Sequence, residues 1–292
     1  MAEIKTIAVI GAGIMGRGIA HVAALGGYRT ILEDILPASL RKAESEIRAN
    51  LDKAIELGKV AKADADAAFQ RLEYASTVEE AARQADLVIE AVPEEMDSKI
   101  EIFTLLDKVC KPHTILASNT SSLSVTEIAS VTYRARKILG MHFFNPVHKM
   151  KLLEVVRALE TDDETINACA EVGRRMGKEV VVIREAPGFI TSRINAMIGN
   201  EAFYMLQEGV ASAADIDKAL KLGLNHPMGP FELVDMVGLD TRLHILEYLH
   251  RSLGEKFRPA PLLVQYVKAG RLGRKSGKGV YEYPEQQAAR NN

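Results

Sequence analysis

Apolar positions fall into short runs through the first 185 residues and into helical spacing after that. Ile4 to Ile10 is mostly apolar and β-branched and predicts a buried strand. Tyr28 to Leu32, Asp86 to Val92, Thr114 to Ala117, Arg136 to Met141, Leu152 to Val156 and Glu179 to Ile183 repeat that pattern. Helical stretches alternate with them, including Ile14 to Ala23 and Lys99 to Val109. Residues 37–69 are rich in Ala, Lys and Glu with a break at Gly58, which predicts a helical hairpin after the second strand. Beyond Ala186-Pro187-Gly188-Phe189 strand patterning largely disappears. Helices are expected over 190–206, from a cap at Ser212 to Gly223, over 241–252 and over 261–269. Asn225-His226-Pro227-Met228-Gly229-Pro230 reads as a rigid loop. The expected architecture is α/β: a Rossmann-like doubly wound sheet with an inserted helical hairpin (1–185), then a smaller all-helical domain (186–292). The cleft between two such domains is the default substrate site.

The strongest local motif follows the first strand. Gly11-Ala12-Gly13-Ile14-Met15-Gly16 is G-x-G-x-x-G between a strand and a helix, the context in which this pattern cradles a dinucleotide pyrophosphate. The second strand ends in Glu33-Asp34, about 20 residues on, where an acid meets the adenosine ribose hydroxyls and disfavours a 2′-phosphate. NAD is therefore expected over NADP, although Arg29 and Arg41 are cations nearby. A strand–turn–helix without a cofactor is the bland alternative.

Two further features carry candidate chemistry. Ser118-Asn119-Thr120-Ser121-Ser122 is a polar cluster at a strand's carboxyl end, where ligands of open α/β sheets bind. Ser124 with Glu127 forms a capping box, which leaves Asn119 and Ser121 as candidate donors to cofactor or substrate. His142 follows a core strand and is stopped by Asn145-Pro146, while Glu154 interrupts a second apolar run twelve residues later. A buried carboxylate needs a partner, so His142 and Glu154 are a candidate acid/base pair. Taken alone, a core histidine bonded to a backbone carbonyl and a solvent-facing acid is the favoured reading.

Composition narrows the class. The chain has 292 residues and a formal net charge of −2, which gives no electrostatic case for nucleic acid or an anionic membrane. Its two cysteines have neither metal nor disulfide spacing, and no long apolar span or secretory leader is expected. A cytoplasmic protein without metal is the default expectation.

The ordered motifs Gly11-x-Gly13-x-x-Gly16, Asn119-Thr120-Ser121-Ser122, His142-Phe143-Phe144-Asn145-Pro146, Pro187-Gly188-Phe189, Asn225 to Pro230 and Gly273 to Gly279 resemble the L-3-hydroxyacyl-CoA dehydrogenases, with the bacterial 3-hydroxybutyryl-CoA enzymes most similar. The resemblance spans nearly the whole chain. It implies NAD-linked interconversion of (S)-3-hydroxyacyl-CoA and 3-oxoacyl-CoA, and a homodimer built through the helical domain. It implies His142 as catalytic base, Glu154 as its orienting acid, and Ser121 on substrate and nicotinamide. Gly11, Gly13, Ile14, Met15, Gly16, Asp34, Glu94, Lys99, Asn119 and Asn145 match cofactor-contacting positions. The hairpin would grip coenzyme A, recruiting Lys53 or Lys59. Ser192 stands where many relatives have an Asn that contacts the acyl group, and Asn195 lies one turn on. Two other readings stay open: a non-catalytic dinucleotide-binding sensor or structural module, and a dehydrogenase of a free hydroxy acid.

Overall fold

The computed structural model describes residues 3–284 and divides into two compact units, Met1–Ala186 and Pro187–Asn292. The first unit carries strands β1 (Thr6–Ile10), β2 (Arg29–Glu33), β3 (Leu72–Ala75), β4 (Leu87–Glu90), β5 (Ile115–Ser118), β6 (Ile138–Phe143), β7 (Leu152–Arg157) and β8 (Glu179–Arg184). Its helices are α1 (Ile14–Leu25), α2 (Pro37–Glu56), α3 (Lys62–Gln70), α4 (Val78–Ala82), α5 (Met96–Val109), α6 (Val125–Ser130) and α7 (Asp163–Arg175). The strands form one sheet in the order β3-β2-β1-β4-β5-β6-β7-β8. β3 through β6 are mutually parallel, β7 is antiparallel to β6, and β8 is parallel to β7.

β1, β4, β5 and β6 are buried on both faces, which explains their unbroken apolar runs. Ile7, Val9, Leu32, Ile89, Ala117 and Leu139 meet Ile19, Ala23, Ile47 and Leu51 from α1 and α2 in the core. The parallel arrangement brings the carboxyl ends of β1, β4, β5 and β6 to one edge of the sheet, where ligands of such sheets bind.

Element by element, the inserted hairpin is present as α2 and α3, with Gly58 (φ +64°) between them. β6 differs from expectation. Residues Ala135–Lys137 form a 3-10 turn, and the strand runs through His142 to Phe143 instead of stopping before it. β3, α4, α7 and α10 (Pro230–Val237) had no counterpart in the sequence patterning. β3 is a four-residue edge strand with a single buried residue, too short and too wet for a pattern.

The second unit contains α8 (Thr191–Gln207), α9 (Ala213–Gly223), α10, α11 (Leu239–Leu253) and α12 (Pro261–Lys268). Phe203, Phe231, Leu246, Leu249, Phe257 and Leu263 form its core. α10 starts inside the expected rigid loop. Gly229 is its N-cap, Pro230 occupies the first turn, and Glu232 reaches back to the Gly229 N–H at 3.0 Å. Among the described residues no helix is long and apolar enough to cross a membrane, and no cluster of three His, Cys, Asp or Glu has metal-binding geometry.

Candidate active site

The glycine turn is shaped by backbone contacts. Gly11 has φ +97°, and a Cβ on Gly16 would fall 1.7 Å from the Gly11 carbonyl oxygen, so helix α1 can leave β1 this tightly only with glycine there. A Cβ on Gly13 would meet nothing within 4 Å. Gly13 is also the N-cap of α1, without a side-chain cap and without an acid in the first turn. The free N–H groups of that turn therefore face open space beside an exposed Ile14, an arrangement suited to a diphosphate. Asp34 stands beside it. One carboxylate oxygen accepts from the Ala12 N–H at 2.9 Å and the other from the Leu36 N–H at 2.9 Å. The acid is thus fixed against the glycine turn, and each oxygen keeps a lone pair for a ribose hydroxyl. The residues present fit a dinucleotide with an unmodified ribose.

At the ends of β4 and β5 a buried network orders the next loop. Glu90 is fully buried and accepts from the Val92 N–H (2.8 Å), Lys99 Nζ (2.7 Å) and Ser118 Oγ (2.6 Å). Lys99 also lies 3.3 Å from Glu94. Glu94 in turn accepts from Thr120 Oγ1 at 2.6 Å, the Ser121 N–H at 2.7 Å and Ser121 Oγ at 3.2 Å. The Lys99 ammonium is thus enclosed between two carboxylates, 1% exposed, and acts on the loop through Glu94. Asn119 ties β5 to β6: its Oδ1 accepts the Phe143 N–H at 3.0 Å, one residue past His142.

His142 and Glu154 are directly opposite each other in the antiparallel β6–β7 register. Opposed residues on one face place their Cβ atoms about 5 Å apart, within reach for imidazole and carboxylate. His142 Nδ1 lies 2.7 Å from Glu154 Oε2, with His142 6% and Glu154 1% exposed. The carboxylate accepts from Nδ1–H and so leaves the lone pair on Nε2, the tautomer a proton acceptor requires. The Phe144 ring packs on the imidazole at 4.3 Å between centroids. Asn145 follows, exposed, in a cis peptide with Pro146.

The candidate coenzyme A residues separate. Lys53 is exposed and paired with Glu56 at 2.8 Å. Lys59 is exposed; burial first, then Lys149, Lys178 and lastly Lys59, hold down the pKa of His148 in the loop after β6. Of the two, Lys59 is the cation facing the loop that follows His142. In the helical unit Ser192 is half-buried in the first turn of α8. Asn195 helps line a mainly apolar cavity of about 320 Å³ with Thr191, Ile194, Ile198, His226 and Met228. Spacing alone did not reveal Glu90 or the role of Lys99. Glu90 ends an apolar strand as Glu154 interrupts one, and that shared signal would have found it.

A dinucleotide cradle and a buried His–Glu pair on one sheet edge define a dehydrogenase site. Residues 6–186 match the 3-hydroxyacyl-CoA dehydrogenase NAD binding domain, and residues 188–283 match the 3-hydroxyacyl-CoA dehydrogenase C-terminal domain. The chain belongs to the 3-hydroxyacyl-CoA dehydrogenase family. It is similar to a probable 3-hydroxybutyryl-CoA dehydrogenase of Bacillus subtilis (strain 168), at 48% identity over 97% of this chain and 99% of that one. A 3-hydroxybutyryl-CoA dehydrogenase of Bradyrhizobium diazoefficiens is 45% identical over 97% of this chain and 96% of its own length. The crystal structure of the (S)-3-hydroxybutyryl-CoA dehydrogenase of Ralstonia eutropha superposes with a TM-score of 0.93 at 42% identity, covering 97% of this chain and 100% of that one. The chain is accordingly an NAD-dependent enzyme with a Rossmann-type domain followed by a helical one.

Proposed function

We propose that this enzyme interconverts a short-chain (S)-3-hydroxyacyl-CoA, such as 3-hydroxybutyryl-CoA, and the corresponding 3-oxoacyl-CoA. The observation that carries the reading is the 2.7 Å contact between His142 Nδ1 and Glu154, on the same sheet edge as the glycine turn. The names of the relatives supply the substrate class.

In oxidation, His142 Nε2 accepts the 3-hydroxyl proton as that oxygen becomes a carbonyl. Glu154 holds the tautomer and stabilises the imidazolium that forms. In reduction His142 returns the proton to the same oxygen. The Ser121 hydroxyl, which donates to Glu94 at 3.2 Å without substrate, turns to donate to the reacting oxygen. Bound NAD supplies the electron-transfer chemistry through its nicotinamide. Gly11, Gly13, Ile14, Met15 and Gly16 carry the diphosphate and Asp34 the ribose. Asn119, Asn145 and Glu94 shape the nicotinamide side, with Lys99 acting through Glu94. Lys59, more than the paired Lys53, serves coenzyme A, and Ser192 lies on the acyl side with Asn195 as a second amide. Exposed Ile190, Ile194, Leu222, Leu224 and Met236 support a homodimer formed through the helical unit. The two free, buried cysteines are consistent with a cytoplasmic setting.

The test is NADH oxidation with acetoacetyl-CoA, with free acetoacetate, and with longer 3-oxoacyl-CoA esters. Turnover of the short ester and none of the free acid is expected. NADH binding without turnover of any ester would contradict the reading and favour a sensor.

A further inference from the structure

The loop between β6 and β7 is held by two elements, α1 and the α7–β8 turn, through residues that the reaction does not use. Val147 is buried, and a Cβ on Gly18 of α1 would lie 2.9 Å from it, so helix and loop are in direct contact at a glycine. One turn further along α1, His21 stacks parallel to His148 at 5.7 Å between ring centroids. A second contact comes from Lys178, in the turn between α7 and β8, with Gly177 at φ +74° before it. Its ammonium is buried and donates to the carbonyl oxygens of Val147 and of Met150, the latter at 2.8 Å. Those two carbonyls bracket the turn closed by Lys149 and Met150 N–H bonds to the Pro146 carbonyl, at 2.9 and 3.0 Å. The neighbouring Glu179 N–H donates to Lys151 O at 2.8 Å and continues the same seam.

A buried ammonium with only carbonyl partners is costly to place. Burial alone brings the Lys178 pKa down to about 8. Burial first, and the Lys178 charge after it, lower the pKa of both His21 and His148, with Lys149 and Lys59 adding to this at His148, while Glu179, the next residue along, is exposed. Burial first, then His148 and Lys178, hold His21 down to about 4, so it is neutral near pH 7 and adds no charge to the cluster. Carboxylates are absent from the neighbours that shift His21, His148 and Lys178. The ammonium thus stands where an apolar side chain would cost less, and its function is in the two carbonyls it holds.

We propose that Lys178 is a positioning residue that latches the 144–150 loop against α1 and so sets Asn145 for the nicotinamide. This rests on the proposed cofactor role of Asn145. The latch acts on the loop and not on the β6–β7 ladder, so His142 and Glu154 keep their register without it. Losing it therefore weakens cofactor binding and spares the chemical step.

Lys178→Met keeps the stem and removes the donor. Gly18→Ala pushes Val147 away while leaving the ammonium. Asn145→Ala removes the contact itself. NADH affinity, kcat at saturating NADH and the acetoacetyl-CoA KM are measured for each. Lys178→Met is expected to weaken NADH binding about tenfold, the factor that ~1.4 kcal/mol supplies, with kcat within about threefold and faster amide exchange at Lys149 and Met150. Gly18→Ala is expected to move the same way, and it carries the test if Lys178→Met does not fold. Unchanged NADH affinity in the two latch variants, or losses of kcat in proportion to affinity, would overturn the latch. Intact NADH affinity in Asn145→Ala alone would instead refute the role given to Asn145.

Discussion

The two units bury acids for opposite ends. In the sheet unit Glu154 and Glu90 are buried beside groups that still have something to offer, the imidazole of His142 and, through Lys99 and Glu94, the Ser121 loop. In the helical unit the buried acids are consumed by the fold. Asp235 accepts from the Val280 and Tyr281 N–H groups and the Tyr283 hydroxyl at 2.8–2.9 Å, binding the basic tail segment to α10. Asp217 accepts from the Phe231 and Glu232 N–H groups and from the Tyr281 hydroxyl. Burial raises the Asp217 pKa, with its hydrogen bonds pulling the other way. All of these are carboxylates in apolar surroundings. The difference is whether the acid orders groups at the sheet edge where ligands bind or only ties fold elements together, so burial alone does not mark a catalytic acid.

The largest effect that separates the units is expected at His142. His142→Ala should lower kcat by about 10²–10⁴ while NADH binding changes little. Some stability is also lost, because Glu154 is left buried without its imidazole, but the folded fraction remains catalytically idle. If turnover falls only as far as the folded fraction does, the sheet unit's acid is structural like the others. Next in size is Asp235→Asn. An amide offers one acceptor oxygen to three donors, and a loss of about 1–3 kcal/mol in stability is expected from denaturant unfolding, with kcat unchanged. A drop in kcat without a drop in stability would place chemistry in the helical unit.

The smallest effect is expected at Glu33, next to Asp34. Burial first, then the neighbouring Asp34, push its carboxyl up to about 7 from 4.5. Between those values the folded chain keeps a proton that the unfolded chain has shed. Stability therefore falls as pH rises through that window, and the penalty is complete above about pH 7. Glu33→Gln should raise the melting temperature at pH 8 and leave it nearly unchanged at pH 4. Equal gains at both would show that the acid's charge is not what costs stability.

Much of the sheet unit is legible in sequence because parallel strands buried on both faces must be apolar throughout, and Ile7 to Ile10 or Leu87 to Ile89 admit nothing else. The glycine turn is legible for the same kind of reason: Gly16 leaves no room for any side chain. His142 and Glu154 were each visible as polar residues in apolar runs. Their pairing is a candidate from the two neighbouring runs, but the register that sets them directly opposite is not legible, because it comes from the antiparallel turn of β7 onto β6, which no local pattern encodes. Lys99 is legible only through the family resemblance, as a cofactor-contacting position, and its enclosure by Glu90 and Glu94 comes from the fold. α10 was missed although its Gly-Pro-x-Glu start was in view, because two prolines and two glycines between 223 and 230 outweighed it.

The central claim is that His142 and Glu154 act as one unit. A double-mutant cycle on kcat/KM for acetoacetyl-CoA, with His142→Ala, Glu154→Ala and the pair combined, tests it most directly. Without the imidazole the carboxylate has nothing to orient, so the double variant should be no slower than His142→Ala within a factor of about three. If the two losses multiply, each residue acts alone and the account of the pair is wrong.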